Sequence, residues 1–154
     1  MDKPFYDFQI LEEKLRFDFV SEGEKIIRKV VFYKAIPNTS FFQLALVDVM
    51  DDGSFSDSVR SNNGDRNKVL ATVIQTFRFF FEQYPEATIV FSGSDEIRTR
   101  MYERIISGEL EKELNRFASL GFNGRYFESF TKNKGYQAFG ITLNNFETKQ
   151  TKIW

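Results

Sequence analysis

There is no cysteine and no histidine anywhere in the chain. The first absence removes disulfides, thiolate nucleophiles, iron–sulfur clusters and cysteine-ligated zinc. The second removes the commonest general base and the commonest metal ligand. Charge of one sign is also missing: 21 Lys and Arg stand against 22 Asp and Glu, a formal net of −1. Nucleic-acid backbones are held by several cations set close together, and here they are spread along the chain, so no nucleic-acid partner is expected. No apolar run approaches the roughly 18 residues of a membrane-crossing helix. The N-terminal MDKPFYDFQI has no apolar stretch of the secretory kind. The expectation is therefore a cytoplasmic protein with no membrane partner.

What the chain has in quantity is phenylalanine, 19 of 154 residues. Aromatic side chains bury large areas and also anchor interfaces. A Phe-rich core is the first expectation, and exposed aromatics that receive a protein partner or a second copy are the alternative. With 42% apolar and 28% charged residues, the composition is that of a folded domain. The length suits one domain over 1–154, with a polar tail from about residue 144.

The first sixty residues carry the period of strands. KLRFDFV puts Leu15, Phe17 and Phe19 on one face and Arg16 and Asp18 on the other. SEGE (21–24) is a turn, KIIRKVVFYKAI (25–36) an extended run ended by Pro37-Asn38, and FFQLALVDVM (41–50) the most apolar strand. DDGS (51–54) turns the chain into a short partner strand, FSDSVR. The period then changes to 3.6. Val69, Leu70, Val73, Ile74, Phe77, Phe80, Phe81 and Tyr84 form an apolar stripe on one helix, capped by Asn63 or Asp65 and closed by Pro85. Phe79 lies off the stripe. ATIVFSG (87–93) reads as a buried strand, SDEIRTRMYERII (94–106) as a second helix and GELEKELNRF (108–117) as a further one. The segment 124–143 reads as a hairpin turning at Asn133-Lys134-Gly135. The expected class is α+β: a single mixed, mostly antiparallel sheet with two main helices, in the order β-β-β-β-(β)-α-β-α-(α)-β-β.

Chemistry concentrates in SNNGDRNK (61–68), a polar loop that opens a helix. Helix N-termini hold phosphate through free amides and the helix dipole. Asn62, Asn63, Gly64, Arg66 and Asn67 are the candidate binding residues. Asp65 supplies a negative charge of its own to the same helix end, which Arg66 and Lys68 partly offset. Two readings stand side by side, a ligand loop and a helix cap after a tight turn. Asp48, Asp51, Asp52 and Asp57 gather about one turn without the alternation of a calcium loop, so an acidic hairpin turn and no metal site are expected.

The succession of strand 41–50, helix 65–84, strand 87–92, helix 95–106 and hairpin resembles the later half of the GCN5-related N-acetyltransferase fold. In that family a loop written Gln/Arg-x-x-Gly-x-Gly/Ala holds the pyrophosphate of the cofactor. RSNNGD (60–65) stands in its place, with one residue more between Arg60 and Gly64 and with Asp65 at the final small position. DEIRTRMYER (95–104) is similar to the family's Asn-x-x-Ala-x-x-Leu-Tyr-Glu-Lys. The resemblance implies an acetyltransferase-like topology, acetyl-coenzyme A as cofactor, Tyr102 as the catalytic acid, and a carboxylate such as Asp48 or Glu128 helping to deprotonate an amine. The whole chain also resembles a family of small uncharacterised bacterial proteins that share NNGD..KVLATV and F.GS...RTR.Y.

Three functions follow. One is a non-catalytic binding or protein-interaction domain with no cofactor. Another is an acetyl-CoA-dependent N-acyltransferase. The third is a structural or assembly protein of a phage or mobile element.

Overall fold

The computed structural model describes residues 3–56, 63–91, 108, 116–131 and 134–143. The chain divides into two compact units, residues 1–34 with 44–83, and residues 35–43 with 84–154.

In the first unit, β1 (Phe8–Leu11), β2 (Arg16–Glu22) and β3 (Ile26–Ala35) pair antiparallel in that order. β4 (Phe41–Val49) follows β3 in the strand order and carries the two-residue β5 (Phe55–Ser56) on Asp48 and Val49. Alternation along β2 decides which side is dry. Phe17, Phe19 and Ser21 are buried, and Arg16, Asp18 and Val20 are less so. The connection from β1 to β2 is a 3-10 turn in which Glu12, Glu13 and Lys14 all have positive φ. That conformation costs about 1–2 kcal/mol per L-residue. Lys14 bridges from it to Glu82 at 2.9 Å.

The helix α1 (Arg66–Gln83) covers the dry side. Val69, Leu70, Val73, Ile74, Phe77, Phe80 and Phe81 are all buried, as their three- and four-residue spacing requires. The ring of Tyr33 stacks on Phe80 at 4.3 Å, and its hydroxyl meets Thr76 Oγ1 at 2.6 Å. Burial raises that hydroxyl's pKa. Phe79, off the stripe, is partly covered by Phe8 of β1, edge to face at 5.6 Å. The helix ends two residues before Pro85, which disfavours helical backbone in the residue it follows. Among the described residues no helix is long and apolar enough to cross a membrane.

In the second unit, β6 (Thr88–Phe91) lies parallel to the first three residues of β4, Phe41 opposite Thr88 through Gln43 opposite Val90. β9 (Ala138–Leu143) pairs antiparallel with both β6 and β7 (Phe117–Phe122), and β7 also pairs with β8 (Phe127–Ser129). Burial of all four residues of β6 means that the strand is covered on both faces, since successive side chains point to opposite sides.

Two expectations need correction. The strands are mixed and mostly antiparallel, but the described residues contain one main helix and one short 3-10 turn, not two main helices. The helix expected at 94–106 lies outside the described residues, as does most of 108–117. Phe117, the last residue of that second segment, begins β7 instead. The C-terminal part also contains three strands rather than one hairpin. Its tight turn falls at 123–126, where Asn123 Oδ1 accepts from the amides of Arg125 and Tyr126 at 2.9 and 3.2 Å. Asn side chains stabilise turns in this way. Lys134 and Gly135 lie instead on the connection from β8 to β9.

Candidate functional site

The loop before α1 is tied to the turn between β2 and β3. Asn63, 4% exposed, accepts from Lys25 N at 2.7 Å through Oδ1. Its Nδ2 donates to Ser21 Oγ at 2.9 Å and to Lys25 O at 2.8 Å. Its carbonyl accepts from Glu24 N at 2.9 Å. Gly23 permits this approach, since a Cβ there would lie 1.7 Å from the Asn63 carbonyl oxygen. Gly64 turns the chain at φ +80, a region that side chains disfavour.

Asp65 is the helix cap, its carbonyl accepting from Val69 N at 3.0 Å. Its carboxylate Oδ2 accepts from the hydroxyls of Ser21 and, at 2.6 Å, of Tyr6. Tyr6 OH in turn accepts from Glu22 N at 2.9 Å. Burial first, then the bond to Asp65, raises the Tyr6 pKa. Lys68 sits 4.4 Å from the centre of the Tyr6 ring, a cation–π distance. Ser21, Asn63, Asp65 and Tyr6 thus form one clasp that joins the N-terminal segment, a hairpin turn and the start of α1.

Of the residues expected to bind phosphate, Asn63 is in this clasp and Gly64 turns the chain beside it, while Arg66 and Asn67 are exposed in the first turn of α1. Asn62 lies outside the described residues, as does Tyr102. The acidic turn is divided in two. Asp52 Oδ1 accepts from Ser54 N and Oγ at 2.9 and 2.6 Å, closing the turn. Asp48 instead is buried and accepts from Lys29 Nζ at 2.5 Å, each residue 6% exposed. Asp57 lies outside the described residues. Among the described residues no group of three or more His, Cys, Asp or Glu is placed to hold a metal ion.

The first unit has an open concavity of about 900 Å³, lined by the N-terminal segment, β2, β3 and the β4–β5 turn, with Lys68 contributed by α1. The β2–β3 register puts Arg16 opposite Phe32, Asp18 opposite Val30, and Val20 opposite Arg28. Val30 and Val49 line it, and Phe55 and Gly53 border it from the β4–β5 turn. The Arg16 guanidinium lies 5.5 Å from the ring centre of Phe32 and 5.9 Å from that of Phe55, and donates to Asp18 at 2.8 Å. Sequence reasoning passed over Arg28, Lys29 and Phe55. The alternation that would have marked them is blurred in KIIRKVVFYKAI, where Val30 and Val31 are both buried.

The second unit has its own polar cluster. Glu128 accepts from Lys134 Nζ at 2.5 Å, Asn123 Nδ2 at 2.8 Å and Tyr136 OH at 2.8 Å. The Lys134 bond, then those of Asn123 and Tyr136, lower its pKa from 4.5 to about 2. A carboxyl depressed in the folded state stabilises above its unfolded pKa, and that contribution disappears as pH falls toward the folded value. Acid unfolding should therefore show a component between about pH 4.5 and 2. Urea midpoints measured across that range should lose the component in Glu128→Gln.

Strand pairings, helix and clasp together define a small α+β protein with several aromatic clusters, some of them exposed. The chain belongs to a family of unknown function (DUF6934), whose profile matches residues 2–144. No curated protein matches it, and no solved structure does either.

Proposed function

We propose that the protein is a non-catalytic binding domain and that the concave face of its first unit is the binding surface. The observation that carries this reading is a contrast. Asn63 and Asp65 at the start of α1 bond inward to Ser21, whereas the concavity presents the exposed Arg28 and the half-exposed ring of Phe55. A pyrophosphate at a helix start needs amides free of competing negative charge, and the Asp65 carboxylate already occupies that end. Phe55, 49% exposed beside Arg16 and Phe32, is the kind of aromatic anchor that interfaces use.

Calorimetric titration with acetyl-coenzyme A tests the reading. No heat is expected at millimolar ligand. Micromolar binding, about −8 kcal/mol, would overturn it in favour of acyl transfer. Asn62, Asn63, Gly64, Arg66 and Asn67 would then surround the pyrophosphate, and Tyr102 would be the acid. Sedimentation velocity separates the assembly role, which requires association that grows with concentration.

A further inference from the structure

The ligand class of the concave face, if that face is the binding surface just proposed, follows from its charges and register. Five of the chain's 21 cations and three of its 22 carboxylates line it, so it is net positive on a chain of net −1. Lys3 is paired with Asp7 at 2.8 Å, Arg16 with Asp18 at 2.8 Å, and Lys29 with Asp48. Arg28 and Lys68 have no carboxylate among the described residues, and Glu22 is the one lining carboxylate outside these pairs. The exposed guanidinium of Arg28 stands directly opposite Val20, itself 39% exposed. Two positions farther along the same face, Phe32 holds Phe55 edge to face at 5.3 Å. From Arg28 to Phe32 an extended chain covers roughly 13 Å, at about 3.3 Å per residue.

We infer that this face takes an extended acidic peptide, with a carboxylate on Arg28 and an apolar side chain, about four residues away, on Phe55. A guanidinium with no carboxylate beside it among the described residues suits a carboxylate ligand, which it can hold through two parallel hydrogen bonds. The exposed apolar surface of Val20 and Phe55 needs an apolar partner to leave water. A nucleic-acid strand fits less well. Its regularly spaced phosphates need cations in series, and here three carboxylates, Asp7, Asp18 and Glu22, line the same concavity.

Fluorescence anisotropy with a labelled, end-capped Ser/Thr/Gly peptide carrying Glu and Phe four residues apart tests the assignment. Saturable micromolar binding is expected, weakened at least about tenfold by Arg28→Glu and by Phe55→Ser. Both side chains are exposed, so the variants should keep the wild-type circular dichroism. A peptide with Gln for Glu, or with the two residues adjacent, should also bind at least about tenfold more weakly. Absence of saturable binding, equal binding by both variants, or tighter binding of a labelled single-stranded oligonucleotide would overturn the assignment. The acetyl-coenzyme A titration judges the binding-domain reading separately. Peptide failure beside a silent titration overturns the ligand class alone.

Discussion

Asn63→Ala is expected to destabilise the protein by about 3 kcal/mol, three lost side-chain hydrogen bonds at about 1 kcal/mol each. In a chain of this size that corresponds to a fall of roughly 10 °C in Tm. The bonds lost are those to Lys25 N, Lys25 O and Ser21 Oγ. Ser21 is fully buried, so water cannot easily replace its donor. Asn63→Asp separates hydrogen bonding from shape. The replacement keeps the volume and the acceptor for Lys25 N, but turns a carboxylate oxygen toward the Lys25 carbonyl and adds charge beside Asp65. It should cost at least as much as alanine in urea denaturation. A loss below about 1 kcal/mol in both variants, the worth of a single hydrogen bond, would mean that the loop is not held by this clasp.

Gly121→Ala should have a comparable effect in the second unit. A Cβ there would lie 2.4 Å from Cγ and Cδ2 of Tyr136 and 2.5 Å from Cδ1, well inside contact distance. Neither partner can retreat easily. Gly121 is paired on both edges, with Glu128 and with Phe139. Tyr136 is 5% exposed, its hydroxyl donates to Glu128 and accepts from Thr131 N at 3.1 Å, and its ring lies against Phe130 and Phe139. Overpacking of this kind typically costs about 1–3 kcal/mol, and the pinned geometry places this site at the upper end. A double-mutant cycle with Tyr136→Ala should show coupling, since the clash disappears with the ring. Strict additivity in chemical denaturation would place the ring elsewhere.

The stripe from Val69 to Phe81 was legible because a helix repeats its buried positions within a short span. The strands around Phe17, Val31 and Val47 were legible for the same local reason. Membership of the uncharacterised family was legible in NNGD..KVLATV. β1 was not. FQIL has no alternation of its own and becomes a strand by pairing with Arg16–Phe19. β7 was missed because Phe117 and Leu120 stand three apart, a spacing that also suits a helix, and the partners β8 and β9 that make it a strand lie farther along the chain.

The candidate site divides in the same way. NNGD announced a turn and a helix start, and Asp65 was rightly among the possible caps. The destination of the Asn63 amide depended on Gly23 and Lys25, about forty residues earlier. The concavity had no local signature, because Arg28, Val20, Phe32 and Phe55 come from three strands. By itself, the sequence determined the excluded chemistries, the long helix and most strands of the first unit, all of which follow from composition or short-range periodicity. Only the tertiary structure decided which strands are neighbours, that Asn63 and Asp65 bond inward, and that Arg28 has no carboxylate partner among the described residues. Those outcomes depend on contacts between residues distant in the chain, which no local pattern encodes.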